Sequence, residues 1–150
     1  MNNALNTIKI LVVFEGEPKT FLSLKWQKIA DDKSLTIHLS QETNSSTLIE
    51  ELGLGYLNSV HTPCRYGCPV DNITSAYHPP PSKLKLSQEQ LQSVVGSLNW
   101  IAYCIRIDIS TITNMLAQHL NSATPSHVAA VCYVVNYIKG CKSLGIKFTM

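Results

Sequence analysis

The sequence predicts an α+β protein in a set order: an N-terminal β-hairpin with a short helix, a long proline-containing connector, a three-helix unit and a short terminal strand. Three observations predict it. Leu35, Ile37 and Leu39 alternate with Thr36, His38 and Ser40, the period of a strand with one buried face. Leu91, Val94, Val95, Leu98, Ile101, Ala102 and Ile105 recur at spacings of three and four, the period of a helix. Between these regions, His78-Pro79-Pro80-Pro81-Ser82 favours extended, polyproline-like backbone.

Each element has its own signal. Residues 8–14 form a short apolar run rich in β-branched side chains, closed by Glu15-Gly16-Glu17-Pro18, which reads as a buried strand ending in a turn. Residues 21–29 and 35–40 flank Ala30-Asp31-Asp32-Lys33-Ser34 and read as a hairpin. Ser40 is placed to cap a helix whose Leu48, Ile49 and Leu52 share a face, and Gly53 supplies its left-handed stop. Residues 54–86 show no sustained period and form the connector. Ser87 and Gln90 then fit a capping box for the first long helix. Asp108 can cap the next, with Ile109, Ile112, Leu116 and Leu120 along one side. Thr124 caps a third, with Pro125 in its first turn, Val128, Val131, Cys132 and Val135 inward, and Gly140 just past its end. Leu144 to Phe148 read as the terminal strand.

At 150 residues the chain has the size of one domain, 1–150, divided into 8–53, 54–86 and 87–150. Its 12 basic and 10 acidic residues leave +2, too weak a field to name nucleic acid or membrane as the partner. Five scattered cysteines, Cys64, Cys68, Cys104, Cys132 and Cys141, are unlike a secreted disulfide framework, and no signal peptide or bilayer-length apolar run is evident. An intracellular setting, cytoplasmic or nuclear, is expected.

Between residues 91 and 138 only Arg106 and Asp108 carry a formal charge, although 15% of the chain is charged. The helix faces turned to water are expected to carry Gln92, Ser93, Asn99, Thr113, Asn114, Gln118 and Asn136, with Trp100, Tyr103, Tyr133 and Tyr137 among them. Such a surface suits contact with another protein, or is the uncharged exterior of an ordinary three-helix core.

The segment Gln92-Ser93-Val94-Val95-Gly96-Ser97-Leu98-Asn99-Trp100-Ile101-Ala102, then Arg106, Asp108-Ile109-Ser110-Thr111 and Leu116-Ala117-Gln118, closely resembles the tail of the reverse transcriptase region in copia-type retrotransposon polyproteins. Phe21-Leu22-Ser23-Leu24 is similar to that family's Phe-Leu-Gly-Leu hairpin, Leu39-Ser40-Gln41 to its Leu-Ser-Gln, and Thr62-Pro63 to its Thr-Pro turn. His127, Ala130, Tyr137-Ile138-Lys139-Gly140 and Leu144-Gly145-Ile146 resemble the pattern that leads toward the ribonuclease H domain. The likeness spans residues 14–148, and it rests on the order and spacing of motifs that are each weak alone. Gly96, Ser97, Leu98, Trp100, Arg106 and Asp108 are its structural signature. Three positions depart: Ser23 stands for Gly, Ile105 for Thr and Ile107 for Pro. Losing that proline implies a softer bend between the first two long helices, and such drift implies a decaying or repurposed copy.

The resemblance implies the last palm hairpin and the helical thumb and connection of an RNA-directed DNA polymerase. Two-metal polymerisation needs convergent carboxylates, which the family carries on an earlier Tyr/Phe-Val-Asp-Asp strand; residues 1–7 hold no acid. Asp31-Asp32 reads as turn chemistry and Glu50-Glu51 as a solvated helix face. The ribonuclease H carboxylates would follow Phe148. No catalytic residue, no activity of the chain alone and no cofactor are therefore expected, since the ligands for the parent enzyme's magnesium are missing.

Binding is what remains. Lys25, Lys28 and Lys33, with Trp26 among them, are candidates for touching a template-primer backbone by charge and stacking; the competing reading is a solvated strand face with Trp26 packed inward. Arg106 and Asp108 are expected to pair across the helix junction. Cys64 and Cys68 with His61 and His78 have one permitted zinc spacing but no second cysteine pair, so free thiols are the simpler expectation and no metal site is assigned. Leu52-Gly53-Leu54-Gly55 lacks the features of a phosphate loop, and His119 and His127 have no nucleophile nearby. The expected partners are an RNA/DNA template-primer or the rest of a retrotransposon polymerase, with no membrane. The alternative is a domesticated helical protein-interaction module without nucleic-acid activity.

Overall fold

The computed structural model describes residues 20–21, 23–31, 34–65 and 85–149. The strand expected at 8–14, Lys33, Cys68, His78 and most of the connector lie outside the described residues. The fold is α+β. Four strands, β1 (Thr20–Phe21), β2 (Leu24–Asp31), β3 (Ser34–Ser40) and β4 (Gly145–Thr149), form one antiparallel sheet in the order β1-β2-β3-β4. The terminal strand therefore joins the N-terminal hairpin, with Ile146 opposite Leu39 and Phe148 opposite Ile37. That pairing requires glycine at its start: a Cβ at Gly145 would lie 1.9 Å from the Leu39 carbonyl oxygen.

Ser23, in the turn between β1 and β2, has φ 65° and occupies the left-handed region that a side chain disfavours. This is the position where Ser stands for the glycine of the resembled family. Helix α1 (Glu42–Glu51) follows β3 directly. Ser40 does not cap it, because strand pairing to Lys25 and Gly145 holds Ser40 in β3; Gln41 takes the cap position without a side-chain bond to the helix. Leu48, Ile49 and Leu52 are buried as expected, and Gly53 at φ 61° ends the helix before a 3₁₀ turn, Leu54–Tyr56.

Helix α2 (Gln88–Cys104) opens with the expected capping box. Gln90 N–H donates to Ser87 Oγ at 3.2 Å, and Ser87 N–H donates to Gln90 Oε1 at 2.9 Å. The junction after it is not a soft bend. Arg106 leaves helical geometry at φ −100°, ψ 66°, and Ile107–Ile109 form a 3₁₀ turn before α3 (Ser110–Gln118). Ile109 takes the cap position of α3, and Asp108 caps nothing, because its carboxylate is committed to Arg106. A further 3₁₀ turn, Leu120–Ser122, leads to α4 (Pro125–Gly140), which starts at Thr124-Pro125 as expected and includes Gly140.

The core lies among α1, α2, α3 and α4. Val95, Leu98, Ile101, Ile109, Ala130, Val131, Val134, Val135 and Ile138 are fully buried there. Burying a large aliphatic side chain stabilises by roughly 1.5–3 kcal/mol, so this cluster is the main support of the fold. Two residues expected at the water-facing surface belong to the interior instead. Thr113 is buried and donates its hydroxyl to the Ile109 carbonyl at 2.6 Å, while Asn136 is buried against the loop at Val60, whose N–H donates to the Asn136 carbonyl. Gln92, Ser93, Asn114 and Gln118 are exposed as expected. No helix among the described residues is long and apolar enough to cross a membrane.

Candidate functional site

Three constellations carry chemistry. The first is a clasp at the α2–α3 junction. The guanidinium of the buried Arg106 donates from Nε to Asp108 Oδ1 at 2.9 Å and from Nη2 to Oδ2 at 2.7 Å, a two-pronged pair. Its Nη1 donates to the Cys141 carbonyl at 3.1 Å, and Nη2 lies 3.0 Å from Cys141 Sγ. Tyr137 donates its hydroxyl to Asp108 Oδ2 at 2.7 Å and presents its ring 5.2 Å from the guanidinium. Burial alone would lower the Arg106 pKa, yet its hydrogen bonds and the Asp108 charge raise it above the ordinary value. Burial likewise opposes ionisation of Asp108, but the bonds from Arg106 and Tyr137 hold its pKa below the usual carboxylate value. Tyr137 is pushed up to about 12 by burial and by its bond to Asp108. Both charges are paired and four of the five guanidinium N–H groups have a partner, so the expected Arg106–Asp108 pair is a structural lock.

The neighbouring motif residues are structural as well. Lys139 donates to the carbonyl of Gly55 and, at 2.7 Å, to that of Leu57, tying α4 to the turn after α1. At the other end of α4, His127 takes the place of the acidic or amide residue of a capping box. Its Nδ1 accepts from the Thr124 N–H at 2.9 Å, and its ring stacks on His119 with centroids 4.8 Å apart. Burial, helped by His119, lowers the His127 pKa and favours the neutral ring that this cap needs. The Gln41 side chain is buried, and neither of its amide atoms has a well-formed hydrogen bond among the described residues. Cys104 is near enough to feel that amide, while burial raises its thiol pKa.

The second constellation is the sheet face that carries the candidate nucleic-acid residues. Strand alternation and the pairing register put Trp26, Leu39 and Ile146 in one row and Lys28, Ile37 and Phe148 in the next, all on one face. Lys25 projects from the other face, where its Nζ lies 3.5 Å from Glu42 Oε2. The structure therefore brings Trp26 and Lys28 together and separates Lys25 from them. The expectation of a buried face is also corrected. Leu35, Ile37 and Leu39 are only half-buried, Trp26 is 36% exposed and Phe148 50%, so the described residues cover this side only in part.

The third is a cleft of about 880 Å³ between α2, the Ile107–Ile109 turn, the start of α3 and Ile146 of β4. Trp100, Tyr103, Ile105 and Ile107 form its apolar wall, Asn99 and Asn114 contribute amides, and among the described residues none that line it is charged. Within the resembled signature, Leu98 is core, Gly96 and Trp100 line the cleft, Ser97 is half-buried beside them, and Arg106 and Asp108 form the clasp. Sequence reasoning missed the cleft, although its signal was present in the uncharged run from Gly96 to Ile105. Cys64 is half-buried against the core and His61 is exposed, so of the four candidate zinc ligands only these two are described. No protein-family model, no curated protein and no solved structure matches the chain.

Proposed function

We propose that the chain is a non-catalytic part of a copia-type reverse transcriptase region, acting by holding template and primer. The sequence resemblance supports the family, and the backbone at Ser23 supports it further: φ 65° is a conformation natural to the glycine of the family's hairpin. The observation that carries the binding role is the partly exposed sheet face, where an exposed indole at Trp26 adjoins Lys28. An aromatic platform beside a cation is the pairing that grips single strands and hybrid backbones without reading sequence. Lys25, which projects from the opposite face, contributes less.

The test is fluorescence anisotropy with a labelled RNA/DNA hybrid. Binding is expected to weaken steeply with salt and to fall at least about fivefold in Trp26→Ala and Lys28→Gln, with a smaller change in Lys25→Gln. Absence of binding at low salt, or binding indifferent to Trp26 and Lys28, overturns the role. A second reading, a helical protein-interaction module, is favoured by the uncharged cleft.

A further inference from the structure

The cleft and its rim have a property that an ordinary ligand pocket lacks. Tyr103 and Ile107 line the recess, yet they are 88% and 82% exposed, so they stand outward from it as knobs. A small molecule lying in the recess would leave their outer surfaces in water. Projection and recess occur side by side on one face of one copy, which is the arrangement a two-fold symmetric contact requires: each copy inserts its knobs into the recess of the other.

Charge selects the same occupant. A two-fold interface sets a surface against itself, so any charge near the axis faces its like. Among the described residues no lining residue of the cleft is charged, and the ionic pair beside it, Arg106 with Asp108, is already matched internally. The apolar surface continues through Ile146 to Phe148 and Trp26, and the first cation met on that face is Lys28, one row further out. An apolar centre with charge at its border is the anatomy of a protein interface.

We infer that this face is a homodimer interface, in which Tyr103 and Ile107 of one copy enter the Trp100-lined cleft of a second copy. The inference names the partner for the protein-interaction reading and rests on it. It shares the surface at Trp26 and Lys28 with the nucleic-acid reading, but its test reads the cleft at Gly96 and Ile107, so the failure of one is distinguishable from the failure of the other.

Sedimentation velocity of the purified full chain, from micromolar to several hundred micromolar, tests it. The expected result is a reversible monomer–dimer equilibrium. Ile107→Lys removes a knob at an exposed position, and Gly96→Phe fills the recess from a site where an added Cβ meets nothing within 4 Å. Each is expected to weaken dimerisation about tenfold or more, with the circular dichroism spectrum unchanged. Lys25→Gln, on the opposite sheet face, is expected to leave it intact. A monomer at every concentration, or a dimer that survives both cleft substitutions, overturns the inference. A monomeric protein whose cleft takes up a neutral apolar dye, with that uptake lost in Gly96→Phe, overturns the dimer while leaving the protein-interaction reading standing.

Discussion

The helical unit and the sheet use similar apolar side chains to different ends. In the helices Leu98, Ile101, Ala130 and Ile138 are fully buried, whereas in the sheet Ile29 and Phe148 are half exposed and Ile146 is 38% exposed. The difference teaches where the molecule is self-sufficient. Among the described residues the helices complete their own core, and the sheet is held by backbone pairing along β2, β3 and β4 while one apolar face stays partly exposed.

The sharpest way to break this comparison is a pair of truncations. Leu98→Ala opens a void in the helical core and is expected to cost roughly 3–5 kcal/mol in chemical denaturation, against below about 1 kcal/mol for Phe148→Ala in the sheet. Equal losses would refute the division. Asp108→Asn comes next. It leaves the guanidinium of the buried Arg106 without its anion, at an expected loss of about 3 kcal/mol, the lower end for a buried pair because Asp108 keeps 31% of its side-chain surface. A melting temperature within a degree of the parent would contradict the clasp.

A smaller change, of opposite sign, belongs to the sheet. Ser23→Gly relieves a left-handed side-chain residue and is expected to stabilise by about 1 kcal/mol; a loss of stability would show that the serine hydroxyl supports the turn. The smallest effect is expected from pH. The folded-state pKa of His127 lies below its ordinary value, so the cap is fully present above about pH 6.5. The unfolded chain binds the proton first as pH falls, and this stability drains until the folded pKa is passed. His127→Gln keeps an acceptor at this position without titrating; thermal unfolding from pH 7.5 to 5 should then lose this part of its slope.

The elements legible in the sequence were those with local signals. Ser87 with Gln90 and Thr124 with Pro125 fix helix starts through bonds three residues long, and alternation at Leu35, Ile37 and Leu39 fixes a strand. Period alone says which side chains share a face, but not how far anything covers that face, so the partial cover of the sheet by the described residues was not foreseen. Thr113 and Asn136 look like surface residues because their types usually are; their burial depends on a neighbouring turn and a distant loop. Asp108 was legible as the partner of Arg106 but not as barred from capping α3. Of the candidate site, Lys25, Trp26 and Lys28 were grouped by closeness in sequence alone, and the strand register, which that closeness does not reveal, puts Trp26 and Lys28 on one face and Lys25 on the other.

Because β4 completes the sheet against β3, residues as far as 113 positions apart must meet, as Thr36 and Thr149 do. On a ribosome the hairpin emerges early and its β3 edge waits, bare, while the whole helical unit is synthesised. Closing so long a loop is slow relative to helix formation, so the hairpin edge is the stretch through which nascent copies are most exposed to pairing with one another.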